Sequence, residues 1–320
     1  MKALVFHGES GLRLEQVAEP ALADGEVRVH VGAAGVCGSD LGWFRGGMPS
    51  VSTPVVPGHE FGGMLDDGTS VVINPMVGCG TCLRCAAGNT HLCAQRRIIG
   101  IHRDGAYAER VSVPRHNVVA ADVLDPVRAA LVEPIANGVH GWDRAGRPTG
   151  AVAIIGAGAI GMCLLHVLRS KGLSNIMVVD PMSQRCEAAR AAGATATSTR
   201  LTGQFDAVFD AAGTRATRAD AIACTAAGGT TALLGLHDDV LSVSAAGVIV
   251  GDKTIAGCFG YSEPAFREAV ALAASIDAPW VAPVPIDDAR QVVEALVAGR
   301  GTPGAIKTMI RFTDVGAFGT

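Results

Sequence analysis

Four cysteines lie within fifteen residues, Cys79, Cys82, Cys85 and Cys93, spaced C-x2-C-x2-C-x7-C in a loop that also carries Gly78, Gly80 and Gly88. Four thiolates on so short a lobe can surround a zinc ion tetrahedrally, and a closed set of four leaves no position for a substrate, so the role is structural. An iron-sulfur cluster also takes four cysteines. Thiols this close with no ion between them would be an oxidation liability. A second group of ligand types stands apart, Cys37 in Gly35-Val36-Cys37-Gly38-Ser39-Asp40 and the pair His59-Glu60 after Pro57-Gly58. Taken singly, these three read equally well as a buried thiol, a satisfied histidine and a surface glutamate.

Gly156-Ala157-Gly158-Ala159-Ile160-Gly161 has a different chemistry. It follows the apolar run Val152-Ala153-Ile154-Ile155 and opens a helical stretch, Met162 to Ser170. The first glycine makes a tight turn, the second lets a pyrophosphate approach the backbone, and the third lets helix and strand pack closely. The ligand's negative charge then sits at a helix N-terminus. Asp180 ends the next strand, where a carboxylate accepts hydrogen bonds from ribose hydroxyls and repels a 2′-phosphate. This favours NAD over NADP. Arg185 pulls the other way, since a guanidinium there can pair with a 2′-phosphate or lie solvated on a helix.

The elements that must position these groups fall into two styles. Up to about residue 122 the text consists of short strand-like pieces cut by Gly and Pro, such as Glu26 to Val31 and Ser70 to Ile73, which predicts a β-rich domain. From Pro126 it turns helical. Apolar strands then alternate with helices, with strands expected at Gly150 to Ile155, Asn175 to Asp180, Ala207 to Asp210, Thr231 to Leu236 and Thr254 to Cys258. Such alternation predicts an α/β, doubly wound parallel sheet covered on both faces. Two amphipathic helices, Pro264 to Ser275 and Ile286 to Ala298, and a strand at Lys307 to Phe312 follow.

Length and composition bound the partners. A chain of 320 residues fits two cores. Hydrophobic residues at 49% and charged ones at 18% give ample surface to bury and no case for disorder. The net charge of -4 is interspersed, with no basic stripe for a phosphate backbone, so nucleic acid is not expected as a partner. No signal-like start or membrane-length apolar run is present, and the nine cysteines, an odd number, suit metal ligation in a reducing compartment. A cytoplasmic protein with no membrane partner is the expectation.

Taken in order, Cys37-Gly38-Ser39-Asp40, Gly58-His59-Glu60, the four-cysteine lobe, Glu133-Pro134-Ile135-Ala136 and the glycine motif resemble the zinc-dependent medium-chain alcohol dehydrogenases, in particular their polyol and sorbitol dehydrogenase branch. The resemblance implies a GroES-like β-rich catalytic domain, residues 1–122 and 256–320 with the metal lobe at 78–93, and a Rossmann cofactor domain at 123–255 inserted between. It implies two zinc ions per chain. Cys37 and His59 would bind the catalytic one, with Glu60 as a ligand that attaches or releases and Glu133 holding the metal directly or through water. A carboxylate near a helix N-terminus would also be favourable for Glu133 without any metal. Ser39 resembles the hydroxyl that bonds the substrate oxygen and passes on its proton, and Asp40 the carboxylate that orients His59. Gly42 stands where many relatives carry a relay histidine, so the relay must differ. Trp43 and Phe44 either line the pocket or pack in the core. The implied activity is NAD-dependent oxidation of a secondary alcohol or polyol to the ketone, reversibly, by a homodimer or homotetramer. A reductase of conjugated carbonyls and a non-catalytic nucleotide binder are the alternatives.

Overall fold

Glu26–Gly35 opens with Val27, Val29 and Val31 alternating with Arg28 and His30, and ends in Gly32-Ala33-Ala34-Gly35, small residues buried on both faces. In the computed structural model, which describes residues 1–47, 51–301 and 304–312, this segment is the centre of a seven-stranded sheet. Glu60–Leu65 pairs along one edge. On the other edge Arg110–Pro114 covers the polar start and Lys307–Arg311 covers the small-residue end, all antiparallel. Ser70–Ile73 and Val118–Ala120 continue the sheet on one side, and Val281–Pro285 lies parallel to Lys307–Arg311 on the other. A strand from late in the chain therefore closes the first sheet. Its core gathers Leu4, Phe6, Val29, Val31, Phe61, Tyr107 and Ile310.

The second sheet has six strands, all parallel, in the order Ala196–Ser198, Ile176–Val179, Val152–Ile155, Phe205–Asp210, Thr225–Leu233, Thr254–Gly257. Counted along the chain this is 3-2-1-4-5-6, the doubly wound order, whose switch point lies between Val152–Ile155 and Phe205–Asp210. The helix Ala159–Ser170 buries Met162, Cys163, Leu164, Leu165, Val167 and Leu168, as expected of a helix laid over a parallel sheet.

The chain divides into two compact units, Met1–Glu133 with the chain from Ala269, and Pro134–Glu268. The first boundary falls inside one helix, Pro126–Arg144, beside its internal Pro134. Among the described residues no helix is long and apolar enough to cross a membrane.

One strand expectation needs correction, and one short strand carries no signal in the sequence. The strand expected at Thr231 to Leu236 runs from Thr225 to Leu233. Its first half, Thr-Ala-Ala-Gly-Gly, reads as a turn, and only Thr225 of it pairs, with Phe205; residues 226–229 fall in the register shift before Thr230 meets Ala207. Ala196–Ser198 is a short edge strand without an apolar run to announce it.

One ion pair ties the central strand to its neighbours. Arg103 donates to Glu26 at 2.6 Å and to the Ser112 carbonyl at 3.1 Å, while the Ser112 hydroxyl donates to the other Glu26 oxygen. The Arg103 bond, helped by Ser112 and opposed by burial, holds the Glu26 carboxyl down at about 2 against its usual 4.5. A depressed carboxyl contributes stability fully above its unfolded value and loses it as pH falls through the folded one. The difference in urea midpoint between the native protein and Arg103→Leu is therefore expected to be constant above about pH 5 and to close as pH approaches 2. A gap that stays open through that window would remove Glu26 as its source.

Candidate active site and metal centres

The pairing of Gly35 with Glu60 across two adjacent strands brings one turn and one strand start together. Cys37 lies two residues beyond Gly35 and caps the five-residue helix Gly38–Gly42, while His59 directly precedes Glu60. The ligand atoms of Cys37, His59 and Glu60 all lie within 4.8 Å of one another. Glu60 is fully buried and His59 nearly so, which rules out the reading of Glu60 as a surface glutamate.

Asp40 organises this cluster from below. Its carboxylate accepts from the Cys37 amide at 3.0 Å and from the Tyr107 hydroxyl at 2.6 Å, and its other oxygen stands 3.4 Å from His59 Nδ1. That contact leaves His59 Nε2 as the nitrogen that can meet a metal. Burial would raise the Asp40 carboxyl, but His59, Tyr107 and the Cys37 amide outweigh it and hold the group below its usual value. Burial would lower the His59 imidazole, yet Asp40 and Cys37 hold it well above its usual value. Tyr107 is pushed well up by burial and by Asp40, so it stays protonated and donates. The two buried carboxylates are thus each met by a basic side chain, Asp40 by His59 and Glu60 by Lys307. Glu60 Oε1 is buried with no hydrogen-bond partner. A thiol, an imidazole and a carboxylate converging in this way fit a zinc ion that keeps a position open.

Cys79, Cys82, Cys85 and Cys93 form the other cluster, with ligand atoms again within 4.8 Å and Cys79 Sγ 4.0 Å from Cys85 Sγ. The Thr81 hydroxyl and nearby amides bring the Cys79 thiol down to about 6. The Gly80 amide lowers Cys85, but burial and the neighbouring thiols Cys82, Cys93 and Cys79 push it up to about 11. Four thiols this close resist joint ionisation unless a cation sits among them, which fits a closed zinc site.

Glu133 is buried but belongs to neither cluster of mutually close ligand atoms. It lies mid-helix in Pro126–Arg144, so an N-terminal dipole does not account for its burial. Ser39 is exposed on the short helix beside Cys37. Trp43 is a core residue, its ring 5.1 Å from Phe6, and Phe44 packs against both. Neither Tyr107 nor Lys307, whose ammonium touches Glu60, carries a motif signal in the sequence.

In the parallel-sheet unit, the glycine turn sits at the switch point. Gly158 precedes the helix Ala159–Ser170 with no side-chain cap, so the amides of Ala159, Ile160 and Gly161 are left for a ligand. A Cβ on Gly161 would stand 1.8 Å from the Gly156 carbonyl oxygen, so only glycine lets the helix start so close to the turn. Asp180 accepts from the Ala157 amide and the Met182 amide, both at 2.9 Å, and Arg185 reaches within 3.6 Å of it. One carboxylate thereby ties the glycine turn to the end of the next strand.

Comparison with known proteins agrees with this anatomy. The alcohol dehydrogenase GroES-like domain matches residues 23–123 and the zinc-binding dehydrogenase domain residues 159–275. L-threonine 3-dehydrogenase of Streptomyces coelicolor is 35% identical over 291 residues, 81% of this chain and 84% of its own. Galactitol-1-phosphate dehydrogenase of Escherichia coli superposes with a TM-score of 0.87 at 27% identity, covering 98% of this chain and all of its own. A candidate zinc-binding dehydrogenase from Sinorhizobium meliloti 1021, solved with NADP, gives 0.89 at 27% identity, covering 97% of this chain and 99% of its own.

If the four-cysteine lobe is a closed metal site, Cys82→Ser is expected to lose one zinc ion per chain and to lower Tm by roughly 5 °C or more. Metal analysis with thermal denaturation checks this, and an unchanged Tm with unchanged zinc would dismiss the lobe as a metal site.

Proposed function

This chain belongs to the zinc-dependent medium-chain alcohol dehydrogenase family, and we propose that within it the protein oxidises a secondary alcohol or polyol to the ketone, reversibly, with NAD. It is an oxidoreductase acting on CH–OH groups. The observation that carries the reading is the convergence of Cys37, His59 and Glu60 within 4.8 Å above a buried Asp40. The relatives act on alcohols of differing size, L-threonine and galactitol 1-phosphate among them, which supports a hydroxyl-bearing substrate without choosing one.

In this reading Cys37, His59 and Glu60 hold the catalytic metal, and Glu133 joins them directly or through water. Zinc with an open position supplies Lewis acidity that lowers the proton affinity of an alcohol. The chain's own work is orientation and proton handling. Asp40 fixes the His59 ring, Tyr107 and the Cys37 amide fix Asp40, and the exposed Ser39 hydroxyl accepts the substrate proton. With Gly42 at the usual relay position, that proton goes on by way of water, the cofactor ribose or Glu60. The nicotinamide carries the hydride chemistry, and the amides of Ala159, Ile160 and Gly161 with Gly156 and Gly158 hold its pyrophosphate.

Asp180 supports NAD because a carboxylate at the end of the strand that follows the glycine turn would repel a 2′-phosphate, and this one is anchored by two amides. Arg185 lies beside it and is the residue through which NADP would be accommodated. The four-cysteine lobe holds a second, structural zinc, and a homodimer or homotetramer is the assembly proposed.

A panel of polyols and secondary alcohols is expected to yield NAD reduction with at least one member, followed at 340 nm; reduction by none would contradict the alcohol reading. Cys37→Ser is expected to abolish that turnover while leaving NAD affinity and the circular dichroism spectrum unchanged. Asp180→Ala is expected to narrow the preference for NAD over NADP by about tenfold or more, the scale of a removed like-charge contact. An unmoved ratio of kcat/KM values would take Asp180 out of the ribose site.

A further inference from the structure

A second turn stands against the glycine turn. Asp210 ends the strand that pairs with Val152–Ile155, the Ala211 amide donates to the Ile155 carbonyl at 2.9 Å, and a Cβ on Gly156 would lie 3.1 Å from the Ala212 nitrogen. Asp210 is fully buried and shapes this turn, one carboxylate oxygen accepting from the Ala212 amide at 3.1 Å and the Gly213 amide at 2.9 Å. Its carbonyl accepts from the Leu234 and Gly235 amides, both at 2.9 Å, which brings the segment after the next strand alongside. The two segments meet backbone to backbone, since a Cβ on Gly235 would lie 2.4 Å from the Gly213 nitrogen. Farther on, the Asp238 amide donates to the Gly213 carbonyl at 2.9 Å and the Asp238 carboxylate accepts from the Arg215 amide at 2.7 Å.

Arg218, in the helix Arg215–Cys224, is buried, and its guanidinium donates to the Val240 carbonyl at 3.0 Å and to the Gly235 carbonyl at 3.2 Å. A cation early in a helix sits at the positive end of the dipole, and a buried one must be met by acceptors. Here the acceptors are carbonyls at either end of 235–240, so that segment is clamped at both ends. Between the clamps it lies open to solvent, Leu236 and Val240 included, with little packing of its own to hold it.

We propose that Arg218 and Asp210 are positioning residues for the cofactor, an inference resting on the reading that the glycine turn seats a dinucleotide. In a doubly wound sheet a dinucleotide lies across the crevice at the C-terminal ends of the strands, around the switch point. Residues 211–213 and 235–240 follow neighbouring strands of that sheet at this end. Holding them in place before binding removes an ordering cost that the cofactor would otherwise carry. Arg218 acts through the Gly235 and Val240 carbonyls, and Asp210 through the Ala212 and Gly213 amides.

The test uses the full-length protein and follows NADH binding by fluorescence titration, with hydrogen–deuterium exchange alongside. Arg218→Met is expected to weaken NADH binding by about tenfold or more, the scale of hydrogen bonds lost from a charged donor, and to speed exchange chiefly at 235–240. Asp210→Ala is expected to weaken NADH to a similar degree, whereas Asp210→Asn, which keeps an oxygen for both amides, is expected to stay near the native affinity. The Asp210 variants also keep the test open should Arg218→Met fail to fold. Native NADH affinity in Arg218→Met, or equal losses in Asp210→Asn and Asp210→Ala, would overturn the positioning role. So would exchange that quickens across the whole sheet, the mark of a general loss of stability. A native protein that does not bind NADH would overturn the cofactor reading and this inference together.

Discussion

Asp40, His59 and Glu60 are all buried within one small region, and a buried charge survives only where donors or opposite charges reach it. Much of the first unit can be understood from that constraint. The Gly38–Gly42 turn presents the Cys37 amide to Asp40, and Tyr107 adds its hydroxyl to the same carboxylate. Lys307–Arg311 returns from late in the chain to deliver an ammonium to Glu60. The sheet is thus a frame whose central strand ends where these partners must meet.

In the parallel-sheet unit the proposed cofactor site would hold phosphate without a cationic side chain. The bare helix start after Gly158 offers amides, and the contact between Gly161 and Gly156 brings strand and helix close enough for those amides to converge. Asp180 belongs to both halves of that site. By accepting from Ala157 it ties the turn to the next strand, so the residue proposed to discriminate the ribose would also stiffen the proposed pyrophosphate seat.

Much of this was legible in the residues themselves. The cysteine spacing, the glycine motif and the strand at Ser70 to Ile73 carry local signals, because ligand spacing, tight turns and apolar runs are properties of neighbouring residues. Glu60 and His59 needed the resemblance, since neither has a partner nearby in sequence. Tyr107 and Lys307 were silent for the same reason. Tyr107 reaches Asp40 across 67 positions, and Lys307 looks like the first residue of an ordinary strand. Thr225–Leu233 was half hidden because its glycines do leave the ladder, Gly228 with a positive φ, while the pairing of Thr225 and of Thr230 on either side of them is visible only in the folded sheet.

The most direct test of the account is zinc-edge anomalous scattering from crystals of the protein. The account predicts two peaks per chain, one enclosed by Cys79, Cys82, Cys85 and Cys93 and one bounded by Cys37 and His59. A single peak in the cysteine lobe, with none beside Cys37 in protein prepared with excess zinc, would contradict it.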